Sequence, residues 1–500
     1  MAATTSPWAF QASRAPECKR PVHGDWARLQ GALGDWTYRG IPIPFLILED
    51  FVLARRAAAG EFKSRTSFGP RKALAGLATA LASRLPPPAL RSNLQPGSFL
   101  VFSDDSAAKG MIPAVLLKEA LAALAPTLLL APRARDFALD GQIHNCLGLD
   151  ELLFGRVPSR LDLSRLIQPS QFSRPLGPVD SRLRGLGGLS PVAPSRFPFW
   201  LHYQAMVAAQ RLEVGYQLFQ ALRPAGIYLN KDYGPQGAAL CSAAHLLGIP
   251  TYSMLHGLQP EACSCQPVVA DKVFCWGDES RRWYLGNGND PARVLVTGNP
   301  SFDRLFQRAS SPQALAQTRQ EHGLPLDRRV VLFGSNPIPF EQNSLILTAL
   351  LEAARAQDFL VLHKPHPAEP LEPYRRAFED PRHLVLVPAS QMKPDEAIVA
   401  SDAVVVYHST LGLEALLAGR PLLVADFLPQ PSPATFAVQI PGLCCGNPAA
   451  LAARLRDLWA GAFPDRDCGL ATSRYLESVI PPQRRAADLM AQAMLAGKEA

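Results

Sequence analysis

The feature that most restricts the fold of this chain is a recurring run of four or five apolar residues, rich in Val, Ile and Leu, each followed by a longer helix-forming stretch. In the first half the runs are Phe45–Leu48, Ser98–Phe102, Thr127–Leu130, Gly226–Leu229, Pro250–Met254 and Lys272–Cys275. In the second half they are Arg293–Val296, Arg329–Phe333, Phe359–Leu362, His383–Val387, Ala403–Tyr407 and Pro421–Val424. None alternates polar with apolar, so each reads as a strand buried on both faces, the mark of a parallel sheet. Helical patterns such as 344–356 and 410–418 lie between them, which makes βαβ units on doubly wound sheets. The expected class is α/β, with two Rossmann-like domains facing a cleft.

The boundaries expected on this basis are an N-terminal arm over 1–40, a Rossmann-like domain over 41–285 and a second over 286–476. A C-terminal helix over 477–500 packs back on the first domain. Residues 151–200 interrupt the first domain with seven prolines, seven arginines and three acidic residues, supplying +4 of the net charge of +7. This segment reads as an irregular basic insertion. It is either a solvated loop or a contact for an anionic acceptor or membrane surface.

Composition excludes several classes. With 48% hydrophobic and 19% charged residues, the chain is not disordered throughout. A charge of +7 over 500 residues favours anionic ligands without implying nucleic acid. The longest apolar stretch, 121–131, is interrupted by Pro126 and falls short of a membrane span. The first residues lack the apolar core of a signal peptide. Nine cysteines at irregular spacing read as reduced thiols, so a cytoplasmic location is expected, with peripheral contact at the inner membrane face. Cys263 and Cys265 have no second ligand pair at finger spacing, and no metal site is expected.

Three strand ends in the second half carry groups suited to a phosphate. After Ala403–Tyr407 come His408, Ser409 and Thr410, and a helix begins at once. Backbone N–H groups and the positive end of the helix dipole would form an anion seat there. Ser409 and Thr410 add hydroxyls, Gly412 allows close approach, and Glu414 one turn on suits a ribose diol. Plain N-capping by Ser409 is the competing reading. Phe359–Leu362 runs into His363-Lys364-Pro365-His366-Pro367, where Lys364 and His366 offer cationic or donor groups on a loop stiffened by Pro365 and Pro367. Arg329–Phe333 runs into Gly334 and Ser335, again with backbone donors at a strand end, or a simple turn. Neither a P-loop nor a strand–GxGxxG–helix unit is present.

The first half supplies the acid–base candidates, each just past a strand: Asp104, Asp232, His256 and Glu261. His256 needs the least tuning to act as a general base near neutral pH.

The segments 271–303 (DKVFCWGDES to VLVTGNPSFD), 363–367 (HKPHP) and 401–424 (SDAVVVYHSTLGLEALLAGRPLLV) together resemble bacterial glycosyltransferases of the two-Rossmann GT-B fold that build surface polysaccharides. The group comprises CDP-glycerol glycerophosphotransferases, capsular Kdo transferases, and sialyl- and polysialyltransferases. The resemblance covers about residues 226–425. It implies that His366-Pro367 and Ser409-Thr410 bind the phosphates of a cytidine nucleotide, and that His256-Gly257 is the catalytic His-Gly element. The acidic motif of the sialyltransferases is matched only in part by Asp104-Asp105-Ser106, which leaves the base open. The implied activity is an inverting, metal-independent transfer from a CMP- or CDP-linked sugar to a glycan or glycolipid acceptor. No cofactor beyond the donor is implied.

Two other functions fit the same pattern. Non-hydrolysing UDP-sugar 2-epimerases share the fold and a strand end like Thr297-Gly298-Asn299-Pro300, but place a Gly-Gly turn where this chain has Ser409-Thr410. A non-catalytic polysaccharide assembly or export protein could also keep the fold. Retaining GT-B enzymes with Glu-x7-Glu are disfavoured, since the position eight before Glu414 is Val406.

Overall fold

The structure, a computed structural model, describes residues 28–33, 36–48, 51, 55, 96–103, 108–131, 138–139, 142–143, 146–148, 197–233, 235–254, 257, 268–311, 313–367, 369–388, 391–429, 432, 434–481 and 485–497. The chain divides into two compact units. The first takes the described residues through Cys275, then Ser280–Thr297 and the residues from Ala487 onward; the second takes Trp276–Glu279 and Gly298–Ala486.

The first unit is built on seven strands: β1 (Phe99–Phe102), β2 (Thr127–Ala131), β3 (Cys146–Gly148), β4 (Gly226–Leu229), β5 (Thr251–Met254), β6 (Lys272–Cys275) and β7 (Val294–Val296). Their order is β3-β2-β1-β4-β5-β6-β7 and every pairing is parallel. Both faces are apolar because successive side chains along a strand point to opposite sides. Phe99 and Val101 join Tyr228, Tyr252 and Phe274 in one core, with Val115, Leu117 and Leu121 of α1 (Ala108–Ala122). Leu100 and Phe102 join Ile227 and Leu229 in the other, against Trp200 and Leu212 of α2 (Phe197–Leu222) and Ala239 and Leu240 of α3 (Pro235–His245).

The second unit holds six strands: β8 (Arg329–Gly334), β9 (Phe359–Lys364), β10 (Leu384–Leu386), β11 (Ala403–Val406), β12 (Leu422–Ala425) and β13 (Cys444–Cys445). The order is β10-β9-β8-β11-β12-β13, again parallel throughout. The crossovers carry α4 (Phe340–Gln357), α5 (Glu372–Ala377), α6 (Pro394–Val399) and α7 (Thr410–Leu417). Read within each sheet, both orders contain 3-2-1-4-5-6, the doubly wound Rossmann arrangement, and the first sheet adds a seventh strand at its edge. The last helix, α8 (Ala486–Ala496), contributes Met490, Ala491 and Met494 to the first unit's core.

Several sequence expectations are corrected. Phe45–Leu48 is not a strand. Ile43–Leu46 forms a short helix after Pro42, and its four residues are buried because they pack as an apolar turn under α2. The run Arg293–Val296, taken as the first strand of the second half, supplies β7, which pairs with β6 at the edge of the first sheet. Within the stretch read as an arm, Leu29, Leu33 and Trp36 are buried in the first unit's core. Of the basic segment 151–200, positions 151–196 lie outside the described residues and the last four open α2. Among the described residues, no helix is long and apolar enough to cross a membrane.

Candidate functional site

In an open parallel sheet, ligands bind beyond the carboxyl ends of the strands where the chain reverses its direction of winding. In the second unit that point lies between β8 and β11, the first and fourth strands. Gly334, the last residue of β8, is in register with both Lys364 of β9 and Val406 of β11. The loops beginning at Ser335, Pro365 and Tyr407 therefore emerge side by side. All three phosphate-suited segments of the sequence meet here.

Helix α7 starts at this point because Ser409 takes extended backbone angles (φ −83°, ψ 147°) and caps it. Ser409 Oγ accepts from Leu411 N at 3.2 Å, and Ser409 O accepts from Gly412 N at 2.9 Å. The serine is an N-cap, and accepting that bond leaves its hydroxyl proton available as a donor. The helix is apolar on nearly every side, and Leu411, Leu413, Ala415, Leu416 and Leu417 are buried. Thr410 and Glu414 are half-buried. Gly412 is accounted for by packing: a β-carbon there would lie 2.6 Å from Phe436 Cζ and 3.1 Å from Val406 Cγ2. Its missing side chain makes room for that ring rather than for a ligand. Gly334 is similar, since a β-carbon would run into Leu411 Cδ2. The two glycines thus set α7 tightly against the end of β8.

A part-buried hydrogen-bond network joins the three strand ends. Glu369 Oε2 accepts from Ser335 Oγ and from His366 N, both at 2.7 Å. Its Oε1 accepts from Asn343 Nδ2 at 2.8 Å and from the Tyr374 hydroxyl at 2.6 Å. Asn343, on α4, also donates to Asn336 O at 2.8 Å, and Asn336 Oδ1 accepts from His408 N at 3.4 Å. Burial pushes the Glu369 carboxyl above its ordinary value, against the four donors that favour its charge. Ser335 is therefore turned into the network.

His363 Nε2 lies 3.1 Å from Ser335 Oγ. Serine, histidine and glutamate together invite a hydrolase reading, but the proton order is wrong for one. The single Ser335 proton goes to Glu369, so His363 must donate to Ser335 and cannot act as its base. His363 is fully buried, stacked on Phe333 with centroids 5.0 Å apart and edge-on to Tyr374 at 4.6 Å. Desolvation carries its pKa down to about 3. Its role is structural.

Lys364 is also drawn inward, donating from Nζ to Met392 O. Burial pushes its ammonium down to about 8, with the charges of Glu396 and Asp395 acting to raise it. It supplies a positive charge close beneath the loops, with two further N–H protons. His366 is half-buried and Pro367 exposed. The His366 backbone is fixed in both directions, because Glu369 N donates to His366 O at 2.8 Å while the Glu369 carboxylate accepts from His366 N. His408, next to the cap, has a half-buried ring edge-on to Tyr407 at 4.6 Å. Its Nδ1 is buried without a partner, and desolvation holds its pKa below the ordinary value.

The first unit presents one acid–base candidate among the described residues. Asp232 is buried, and its Oδ2 accepts from Val269 N at 2.7 Å and Ala270 N at 2.9 Å. Burial raises its pKa against these two amides. The carboxylate is committed to holding the chain that leads into β6, which corrects the expectation of a free general base. Asp104, His256 and Glu261 lie outside the described residues. Among the described residues, no three His, Cys, Asp or Glu side chains gather as a metal ligand set.

Glu369, Asn343, Asn336, His363 and Tyr374 were not singled out from sequence. The one available signal was an acidic residue between prolines just after His366-Pro367.

No family model matches this chain, and no curated protein matches it in sequence. Solved structures do match. A variant of the wall teichoic acid polymerase TagF soaked with CDPG aligns at a TM-score of 0.52 and 10% identity, over 90% of this chain and 98% of that one. TagF itself aligns at 0.51 and 12%, over 86% and 97%. The UDP-GlcNAc 2-epimerase of Methanocaldococcus jannaschii, in complex with UDP-GlcNAc and UDP, aligns at 0.50 and 10%, over 80% and 99%. At these identities the likeness is one of fold: an α/β chain of two Rossmann-like sheets in the GT-B class.

Proposed function

We propose that this chain is an inverting, metal-independent glycosyltransferase that uses a nucleotide-activated sugar, with the donor's phosphates seated at the start of α7. The observation that carries this reading is the meeting of three strand-end loops, the capped start of a helix and a buried lysine at the switch point of the second sheet. Fold alone does not fix function; the groups at this point do the arguing.

In a transfer of this kind the acceptor hydroxyl attacks the sugar carbon, and the bond from that carbon to the phosphate oxygen breaks. Negative charge then grows on the phosphate. A site is catalytic to the extent that it stabilises that charge more than the ground state. The dipole of α7 points its positive end at the loops, the Ser409 hydroxyl has a proton to give, and His366 stands on the adjoining loop. Lys364 adds a charge in a poorly solvated setting, where its field is weakly screened. Glu414, half-buried on the first turns of α7, is the group proposed for the ribose. A cytidine nucleotide is favoured by the resemblance of the His-Pro and Ser-Thr segments. His256 is the proposed base for the acceptor proton. The acceptor is proposed to be a glycan or glycolipid met at the inner membrane face.

A thermal-shift screen with CMP, CDP, UDP, GDP and ADP tests the seat, because a ligand bound only by the folded chain raises Tm. At least one nucleotide is expected to raise it. His366→Ala should abolish the shift, whereas His256→Ala should keep it and lose transfer. Absence of any shift, or a His366→Ala chain that binds normally, would overturn the proposal. Turnover of a UDP-sugar to its 2-epimer without an acceptor would establish the epimerase reading instead.

A further inference from the structure

We infer that Glu369 is the positioning residue of this site, a single half-buried carboxylate that sets how the three strand-end loops stand relative to one another. The inference rests on the proposed nucleotide seat and names the residue that keeps it in shape.

Its four bonds reach the end of β8, the loop after β9, α4 and α5, and a further chain of bonds leads from α4 to the segment before α7. Ser335 ties it to the end of β8 and His366 N to the His-Pro loop after β9. Asn343 ties it to α4 and, through Asn336, to the backbone of His408 before α7. Tyr374 ties it to α5. Only an ionised carboxylate accepts four bonds and donates none.

The donors are not equally adaptable. The Ser335 and Tyr374 hydroxyls rotate and can become acceptors. His366 N–H is backbone and has no freedom. Asn343 is held by Asn336 at both ends of its amide, through Asn336 O at 2.8 Å and Asn336 N at 3.5 Å. A glutamine at 369 presents one oxygen and one NH2. Whichever way it sits, its NH2 faces a rigid N–H, that of His366 or that of Asn343. Either the His-Pro loop or the loop after β8 must then move. Phosphate binding depends on donors lying within a few tenths of an ångström of place, so the movement appears as lost affinity.

The test compares Glu369→Gln with Arg319→Met. Arg319 is buried at the opposite, amino edge of the same sheet, bonded to Ala400 O and Asp402. Both variants are expected to lower Tm. Affinity for the five nucleotides CMP, CDP, UDP, GDP and ADP is then measured by calorimetry well below each Tm, where all chains are folded. Glu369→Gln should weaken the best-bound nucleotide about tenfold or more, the loss of one bond to a charged group. Arg319→Met should change it less than about threefold. If Glu369→Gln does not fold, Tyr374→Phe decides. It removes one hydroxyl from a residue that is 2% exposed, touches no proposed ligand group and should weaken binding about tenfold, again the loss of one bond to the carboxylate. Wild-type chain that binds a nucleotide while Glu369→Gln, or Tyr374→Phe in its place, binds equally well overturns this inference alone. Wild-type chain that binds none of the five overturns the nucleotide seat and this inference together.

Discussion

His363 should make the second unit sensitive to mild acid, and the effect can be worked out from its surroundings. The ring is fully buried between Phe333 and Tyr374, gives its Nε2 proton to Ser335 and leaves Nδ1 without a partner. Protonation would place a charge and a new N–H where nothing accepts it. The folded chain therefore resists protonation down to about 3, while the unfolded chain takes a proton near about 6.5. Between these values the unfolded state holds about one more proton, so stability rises with pH. The contribution is complete above the unfolded value and is lost as pH falls toward the folded one. From about pH 7 to about pH 5 the loss comes to about 2 kcal/mol. Glu369 acts with the opposite sign, since its raised carboxyl takes up a proton in the fold before it would in the open chain. Comparison with His363→Gln isolates the histidine, because glutamine keeps an N–H for Ser335 and does not titrate. Urea unfolding at stepped pH, read by amide exchange in peptides covering β8 and β9, separates this unit from the first. The wild-type midpoint should fall relative to the variant by the equivalent of about 2 kcal/mol over that interval. Parallel curves would refute the reasoning.

Arg319→Met should destabilise the second unit by about 3 kcal/mol, because it leaves the carbonyls of Ala400 and Arg328 without the guanidinium and the Asp402 carboxylate with Val330 N alone. A change below about 1 kcal/mol in urea unfolding would show that water replaces the guanidinium. Gly334→Ala should cost about 1–3 kcal/mol by driving Leu411 away from the end of β8. Adding Leu411→Ala should make the double variant more stable than the sum of the single losses by more than about 0.5 kcal/mol, and additive losses would mean the two positions are not in contact.

Most of the framework was readable because a strand buried on both faces must be apolar along its whole length. Val330–Phe333 and Ala403–Val406 are fully buried, and no other local structure explains two such short runs at this spacing. The same rule misread Phe45–Leu48. There Pro42 and Pro44 favour a turn of helix, and tertiary packing rather than strand pairing buries the side chains. It also assigned 293–296 to the wrong sheet, since a run of residues carries no record of its partner strand. β13 escaped notice because two cysteines at a sheet edge are too short a signal.

The site was readable in place but not in role. Strand ends carry polar residues for two purposes, to hold the loops and to meet a ligand, and residue type does not distinguish them. Ser335 and Lys364 look alike in sequence as phosphate donors, yet one is spent on Glu369 and the other gives a proton to Met392 O. What commits them lies 34 and 28 positions away along the chain. Those distances are set by crossover helices, so no local pattern contains them. Gly412 shows the same thing in reverse, a glycine that suits a ligand equally well but is required by Phe436. Set aside the residues held inside, and what faces the switch point is the Ser409 hydroxyl, the start of α7 and the His-Pro loop. The helix start is a backbone feature, while the His-Pro loop presents both backbone and the His366 ring on which nucleotide binding is expected to depend. Side chain and backbone alike then depend on how the loops stand, and among the described residues Glu369, whose carboxylate ties Ser335, Asn343 and the His366 backbone together, is where a single atom exchanged should be felt most.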